Sequence, residues 1–404
     1  MVLKKSNKNL NFLLAGQFVS QVGDKFYMLA LSFMVLHTTG STVKMGAVLA
    51  SALIPSLILG LVTGTFIDRC NRKMIIVGAD CCRGIIISFV AFFYFADLLN
   101  FYMIIISQIL LSINSAFFDP TISAVIPQIV EKDELIKANS KHQFINGFST
   151  IIGPAVGGVF IAGFGYTAIF AVNAFSFFLS AIFELFLKLP SNSRIGETKA
   201  KFTKELIEGY RYIFRKQSLM VLLFMVGVIH FFVGYIEVFI PVIAMSFKEN
   251  GPQALGIFHA SFGFGTILIT FVLSIKAISW DEGKVLFASV FLIGIILLLM
   301  TLPETFLIGS VFVYLPLFVL LGCSIILAGV SFKTLLQKSV DNKFAGRVFA
   351  IAGSIGNSSI PLAMIVFGYL LEFFSLHNLL YLCGLVLLPL SIIAYKLYKG
   401  SNIG

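Results

Sequence analysis

Charged residues are scarce in this chain of 404 residues. Asp, Glu, Lys and Arg together make up only 12% of the sequence, whereas 58% is hydrophobic and the mean hydropathy is +0.98. Soluble domains carry about 25% charged residues and cannot bury this much apolar surface. The sequence therefore predicts an integral membrane protein.

Several other patterns are missing, and each absence excludes a class of protein. The five cysteines show no C-x-x-C spacing, which favours reduced thiols over a disulfide framework. The apolar runs lack the period-two alternation of outer-membrane β-strands. There is no Walker A loop for ATP-driven transport and no pattern typical of a catalytic triad or a metal site. We expect neither an enzyme nor a protein that needs a metal or cofactor.

The apolar residues fall into twelve long runs. Most approach or exceed the ~20 residues that cross the hydrocarbon core of a bilayer as a helix. Twelve transmembrane helices are therefore predicted. Their expected ranges are 10–36, 45–67, 74–96, 101–126, 142–163, 166–188, 218–245, 254–275, 284–302, 305–331, 348–373 and 377–398.

Basic residues are concentrated in every second connection between these runs. If the N-terminus is cytoplasmic, 25 of the 29 Lys and Arg residues lie in cytoplasmic segments, and only Lys44 and Lys248 lie in outer ones. Such a bias sets the orientation of membrane proteins, so both termini are expected in the cytoplasm. The net charge of +10 forms no separate basic domain, which argues against a nucleic-acid partner.

The longest connection divides the twelve spans into six and six. We predict an N-terminal bundle over 1–188, a cytoplasmic linker over 189–217 and a C-terminal bundle over 218–404. The linker segment "TKAKFTKELIEGYRYIFRKQ" has an apolar face typical of a helix on the cytoplasmic leaflet, although a solvated linker helix fits equally. The halves share a weak similarity between "PQIVEKDELIKANS" and "LQKSVDNKFAGRVF", which indicates a parallel repeat.

The loop after span two reads "GTFIDRCNRK". Its acid can bond to the positive end of a neighbouring helix, its bases suit the anionic leaflet, and its first glycine permits close packing. At Asn71 we expect a left-handed conformation, which Asn tolerates nearly as well as Gly. The residues of interest in this loop are Gly64, Asp68, Arg69, Arg72 and Lys73.

Span five contains "GPAVGG". Proline removes one helical hydrogen bond, and the glycines let the kinked helix approach a partner closely. The residues concerned are Gly153, Pro154, Gly157 and Gly158.

These two motifs resemble those of a known family. The loop is similar to the G-x-x-x-D-R-x-G-R-K signature of the major facilitator superfamily and departs from it only at Asn71. "GPAVGG" resembles the span-five motif of the drug:proton antiporters in that superfamily. "FIDRCNRKMIIVGAD", "NSAFFDPTISAVIPQIVEKDELIKANS" and "GRVFAIAGSIGNSSIPLAMIVFGYLLEFF" resemble the macrolide-efflux (Mef-type) branch.

The resemblance implies an all-α membrane fold of twelve helices in two pseudo-symmetric six-helix bundles. It also implies that Asp68 closes a cytoplasmic gate against span eleven and that Arg72 pairs with Asp119 at the end of span four. Independently of the family, Asp80 and Arg83 are three residues apart in span three, and we expect them to neutralise each other.

Ionisable residues deep inside a span are candidates for function, because burying them is costly. Asp24 lies about 21 Å along span one at 1.5 Å per residue, close to the bilayer midplane. Gln17, Gln21 and Asp24 follow i, i+4, i+7 spacing, which predicts one polar stripe facing a cavity. Lys25 is expected to point about 100° away, toward an acid on another helix or toward the interface. In span seven, His230 and Glu237 share a face, and His230 also fits a simple packing role.

Together these features predict a multi-pass protein of the bacterial plasma membrane that works as a monomer. The expected function is export of amphipathic or hydrophobic organic compounds, such as macrolides, in exchange for protons. Asp24, with Glu237, is the expected proton site, although a structural salt bridge or direct substrate contact stays open for each. An exporter of a metabolite or siderophore, or a lysophospholipid flippase, is the alternative function.

Overall fold

The computed structural model describes residues 3–67, 70–131, 134–189, 211–275, 281–305, 310–341 and 344–401. These residues are helical and form no strand. Their helices are α1 Leu3–Thr39, α2 Thr42–Ser51, α3 Ile54–Ile67, α4 Arg72–Phe95, α5 Phe101–Ile129, α6 Leu135–Leu185, α7 Gln217–Met245, α8 Gly251–Ile275, α9 Glu282–Leu299, α10 Leu302–Thr305, α11 Tyr314–Ser339, α12 Ala345–Phe373 and α13 Leu376–Ser401.

Ten stretches of these described residues are long and apolar enough to cross a membrane. They match every predicted span except 10–36 and 142–163, which are also helical but are not among the ten. In the first of these two, Gln17, Gln21 and the adjacent charges of Asp24 and Lys25 lower the hydropathy. The predicted all-α membrane fold is confirmed.

The chain forms two compact units, Met1–Gly196 and Glu197–Gly404. In the first unit, α1 packs along α6, α4 along the second part of α6, and α5 along α3 and α4. In the second unit, α7 packs along α12, α9 along α13, and α11 along α8 and α9. The same pairs of spans meet in both units, so the pseudo-symmetry is present in the packing. Residues 190–210 of the predicted linker lie outside the described residues, and the predicted domain limits stay predictions.

The predicted second span consists of two helices rather than one. The helix breaks at residues 52 and 53, between α2 and α3, and Pro55 is the second residue of α3. Proline has no backbone N–H and disfavours helical geometry in the residue before it. The amide of Ser56 donates instead to the Ser112 hydroxyl on α5, at 3.0 Å. Hydropathy alone did not show this break, because both sides of it are apolar.

The predicted tenth span begins later than expected. Its long helix, α11, starts at Tyr314 rather than at 305 and continues to Ser339. A short turn over Val311–Val313 precedes it, and the hydroxyl of Ser310 accepts the amide of Phe312 at 3.3 Å. Hydropathy did not predict this start, because the turn lies within the apolar run from 305 to 331 and changes the hydropathy little.

The helix α6 comprises predicted spans five and six, which meet at Gly165. This residue has φ 74° and ψ 178°, a conformation that is essentially confined to glycine. Before it, Gly153 and Gly157 face Lys25 and Leu29 of α1 in parallel order. After it, the order reverses, since Gly23 faces Ser176 and Gly16 faces Ser180 and Glu184. The chain therefore turns back at Gly165, and α1 packs against both arms.

Each unit has a dense interior. In the first, α1, α4 and α5 bury a cluster that includes Leu13, Ile76 and Val125. In the second, aromatic rings stack between α7, α8 and α11, with Phe258 and Phe318 centroids 4.8 Å apart. Helices in a bilayer gain little from the hydrophobic effect, so close van der Waals packing of this kind stabilises each unit.

Candidate functional site

The first unit encloses a polar cavity of about 490 Å³ between α1, α4, α5 and α6. Five of its lining side chains are ionisable: Asp24, Lys25, Arg83, Asp119 and His142. Two acids, two bases and a histidine thus meet in one space inside a largely apolar bundle. Ionisable groups at this depth are expensive and mark pathways for ions or substrates in membrane proteins.

The wall contributed by α1 is the predicted polar stripe. Gln17, Gln21 and Asp24 all line the cavity. The side-chain amide of Gln21 donates to the Gln17 carbonyl oxygen at 2.9 Å, as the i, i+4 spacing permits. Gln17 is buried, and its own side-chain nitrogen has no hydrogen-bond partner among the described residues. This nitrogen is therefore an unused donor within the cavity wall.

Lys25 also borders the cavity, although it points about 100° away from Asp24 around α1. It lines the same space as Asp24 and lies close enough to Asp119 on α5 for their charges to interact. Residues about 100° apart on a helix can border one cavity when that cavity is wide. Asp119 is thus the acid on another helix that Lys25 approaches.

The predicted pairing of Asp80 with Arg83 is present. One terminal guanidinium nitrogen of Arg83 lies 3.3 Å from Asp80 Oδ1, and the other donates to the Ser115 hydroxyl at 3.0 Å. The guanidinium also lies 4.2 Å from the ring centroid of Phe118 and 5.6 Å from that of Phe177. Aromatic faces and a fixed fork of donors hold Arg83 in place while one side of it borders the cavity.

The expected ion pair between Arg72 and Asp119 is not formed between these described residues. Arg72 Nη1 donates to the backbone oxygen of Ala124 at 3.2 Å, while Asp119 lines the cavity. Asp119 is five residues before Ala124 on α5, so it lies more than one helical turn deeper. In this structure, Asp119 belongs with Asp24, Lys25 and Arg83.

The loop motif is described only in part. Asp68 and Arg69 lie outside the described residues, so the predicted latch stays a prediction; Gly64 lies within α3. Asn71 is not left-handed: its φ is −70°, and its side chain caps α4 by accepting the amides of Lys73 and Met74. Asn is a preferred N-cap residue, which accounts for its presence here. Lys73 Nζ donates to the Leu185 backbone oxygen at 2.6 Å.

The "GPAVGG" motif is where α6 meets α1. A methyl group added at Gly153 would lie 2.6 Å from Lys25 Cβ, and one added at Gly157 would lie 3.2 Å from Leu29 Cδ2. Pro154 and Gly158 are also buried. The glycines therefore permit a helix contact that no larger residue would, directly beside the charged cavity.

The candidates of span seven lie in the second unit, on α7. His230 Nδ1 is 2.9 Å from the Val226 backbone oxygen, and its ring packs on Gly356 of α12. These contacts are those of a packing histidine. Glu237 is half-buried and close enough to His259 on α8 for an electrostatic interaction.

Comparison with known proteins identifies the family. The profile of the Major Facilitator Superfamily matches residues 13–364. The chain belongs to this superfamily. Macrolide efflux protein A of Streptococcus pyogenes is 26% identical over 399 residues, 96% of either chain. Multidrug efflux pump Tap of Mycobacterium tuberculosis is 25% identical over 231 residues, 54% of either chain.

The solved structures agree on the fold. The crystal structure of the nucleoside transporter NupG superposes with a TM-score of 0.75 at 13% identity, covering 98% of this chain and 99% of that one. At that identity the likeness concerns the major facilitator fold alone. The expected membership of the superfamily is confirmed, and so is the expected resemblance to its macrolide-efflux branch. Membership places it among multi-pass membrane transporters, which are not a class of enzyme.

Two ionisable residues of this major facilitator protein were not expected from its sequence. His142 lines the cavity, and the i, i+4, i+8 spacing of His142, Asn146 and Thr150 on α6 could have indicated it. Glu184 is completely buried behind Arg83, at the end of an apolar run where it resembled a boundary residue. No group of metal-ligating side chains occurs among the residues that the structure describes.

Proposed function

We propose that the chain exports amphipathic organic compounds, macrolide antibiotics among them, from bacteria in exchange for protons. The proposal is supported by the similarity to macrolide efflux proteins along nearly the whole chain and by the similarity of half the chain to a multidrug pump. The protein acts in the plasma membrane as a monomer with both termini in the cytoplasm. It works by alternating access, with Asp68 in its gating loop.

The observation that carries the proposal is the charged cavity of the first unit. Asp24 and Asp119 are carboxylates that can bind either a proton or a cationic group of a substrate, and they share their space with Lys25 and Arg83. An antiporter needs this competition, since the substrate must displace the proton. The lining amides and hydroxyls, such as those of Gln17 and Ser115, supply polar contacts for a large amphipathic molecule.

Within this cavity, we assign proton coupling to Asp24, which lies on the same wall as Gln21. Glu237 of the second unit is the second coupling candidate, with His259 beside it rather than His230. His230 is assigned a packing role. The "GPAVGG" residues are assigned the task of keeping α6 against α1, so that the cavity is sealed on that side.

The test is transport by the purified chain in proteoliposomes. With erythromycin as the probe, the wild-type protein should dissipate an imposed proton gradient, and Asp24→Asn should abolish this response. Asp97→Asn is the matched control, because Asp97 is exposed in the turn after α4 with φ 55°, a conformation that suits Asn. Equal proton movement by Asp24→Asn and the wild type would refute the assignment of Asp24.

The alternative functions give different results in the same liposomes. A flippase would move labelled lysophospholipid without a pH gradient. An exporter of a metabolite or siderophore would leave erythromycin in place and would not raise the erythromycin tolerance of an efflux-deficient host. Either outcome would replace the proposed antibiotic export.

A further inference from the structure

A second cluster of ionisable groups lies behind the cavity, in the packed interior of the first unit. Asp80 of α4 and Glu184 of α6 are both completely buried, and their charges are close enough to interact. Neither Glu184 oxygen has a hydrogen-bond partner among the described residues, and the same holds for Asp80 Oδ2. Polar groups are rarely left in this way in folded proteins, so each such group calls for a physical explanation.

The charges of this cluster do not balance if both acids are ionised. Arg83 is the base that meets them, and its guanidinium is bonded to Asp80. A second buried carboxylate with no donor would be strongly destabilising, because desolvation of an ion is expensive unless the ion is paired. One proton on the pair makes the cluster neutral and removes that cost.

The groups around Glu184 offer no other compensation. From α4, the groups that face it are Asp80, Arg83 and the thiol of Cys81, which adds no positive charge. From α1 it meets Gly16, and Asp24 of the same helix adds a further negative charge near Asp80. On its own helix Ser180 is a turn away, and the Ser180 hydroxyl lies near Asp80. Lys73 is bonded to the backbone oxygen of the neighbouring residue, Leu185.

Arg83 connects this buried pair to the cavity. It is bonded to Asp80 on one side, it lines the cavity on the other, and its charge interacts with Asp119 there. A cation that binds Asp119 competes with Arg83 for that carboxylate. Arg83 then has only the buried acids as counter-charge. Ionisation of the second acid of the pair therefore costs less free energy.

We propose that Asp80 and Glu184 share one exchangeable proton, and that Arg83 couples its release to the arrival of a cationic substrate at Asp119. The inference rests on the proposed proton-coupled export and places a proton site behind the cavity, in addition to Asp24. As the substrate cation replaces Arg83 at Asp119, the proton leaves a carboxyl oxygen of the pair for water on the side from which the substrate entered. When the substrate departs, Arg83 turns back to Asp119 and the pair takes up a proton again.

Infrared difference spectroscopy tests the shared proton without any substrate. A protonated carboxylic acid has a carbonyl stretch that carboxylates lack. The wild-type spectrum should contain such a band, and Glu184→Gln should remove it. Asp80→Asn should remove it as well, because Arg83 is then free to pair with ionised Glu184. Glu131→Gln, at an exposed position after α5, is the control and should keep the band.

Folding of the variants is not a confounding factor for this test. Gln is an uncharged isostere of protonated Glu, so Glu184→Gln should fold if the proposal holds. If that variant does not fold, Asp80→Asn decides: the difference between its spectrum and that of the wild type should contain one carboxylic acid band, and no difference would overturn the proposal. Absence of a carboxylic acid band from the wild-type protein across its folded pH range would overturn the proposal.

Transport separates this inference from the proposed function. In liposomes with erythromycin, Glu184→Gln should retain exchange of labelled drug across the membrane but lose drug-driven proton movement. If Glu184→Gln moves protons as the wild type does, the coupling role is wrong and the export function stands. If the wild type moves no protons with erythromycin, the proposed function fails, and the infrared band alone then decides whether Glu184 holds a proton.

Discussion

Arg83 is the residue on which the described polar network of the first unit converges. It bonds to Asp80 and Ser115, packs on Phe118 and reaches the cavity. A lysine has one compact ammonium group and could not hold these positions at once. The buried acids and the cavity are therefore connected through a single guanidinium.

Replacing this guanidinium should destabilise the protein. Arg83→Leu leaves Asp80 buried without its partner, and breaking a buried ion pair in this way costs about 3 kcal/mol or more. The free energy of unfolding, measured by titration with SDS in mixed micelles, should fall accordingly. The double variant Asp80→Asn, Arg83→Leu should recover part of the loss, since position 80 then carries no unpaired carboxylate. A single variant as stable as the wild type would contradict the pairing.

At the residue scale, the sequence predicted which residues share a face of one helix. It did not predict which residues of different helices meet. Gln17, Gln21 and Asp24 could be placed together because helical spacing alone puts them on one face. The pairing of Asp80 with Arg83 followed from the same rule. Glu184 and the position of Lys25 beside Asp119 depend on how α4, α5 and α6 meet α1, which no local spacing encodes.

At the scale of elements, the central contact is that of α1 with both arms of α6. One arm has no side chain at Gly153 and Gly157, where it faces α1. In turn, α1 has no side chain at Gly16 and Gly23, where it faces the other arm. Close backbone approach increases the dispersion energy between helices, which in lipid is a main source of their association. This contact also fixes where Lys25 and Asp24 face.

A methyl group at this contact should be poorly tolerated. Gly153→Ala places a carbon 2.6 Å from Lys25 Cβ and 3.2 Å from the Val22 backbone oxygen, so α1 and α6 must separate. Overpacking of this kind costs about 1–3 kcal/mol. The thermal unfolding midpoint in detergent should fall.

Gly147→Ala is the matched control for this change. It lies on the same helix, and an added Cβ has nothing within 4 Å. Its unfolding midpoint should stay equal or rise slightly, because Ala is the better helix former. Equal losses in both variants would show that the contact with α1 does not set the effect.

The boundaries of the helices show which structural features hydropathy does not predict. The turn at Gly165 was expected between spans five and six, because glycines interrupt the apolar run there. The break before Pro55 and the late start of α11 were not, because the residues around both are uniformly apolar. Hydropathy locates membrane segments, whereas backbone hydrogen bonding decides where within them a helix begins.

At the scale of the whole molecule, the two units repeat one arrangement of helix pairs. This repeat was predictable in outline from the six-and-six division and from the similarity of "PQIVEKDELIKANS" to "LQKSVDNKFAGRVF". The ionisable groups do not follow the repeat: the first unit has the five-residue charged cavity, whereas α7 offers Glu237 near His259. The charges thus make the two units chemically unequal.

The predicted orientation can be tested on the intact chain. Alkaline phosphatase folds only outside the cytoplasm, so its insertion after Asp97 should give active enzyme, and insertion after Glu131 should not. A green fluorescent protein at the C-terminus should fluoresce, as expected for a cytoplasmic terminus. Activity at Glu131 together with none at Asp97 would reverse the orientation derived from the basic residues.

The turn at Gly165 has a consequence for biosynthesis. With one glycine between the two arms of α6, almost no polar segment separates them, and neither arm can be translocated independently of the other. The two arms would therefore enter the membrane as one helical hairpin.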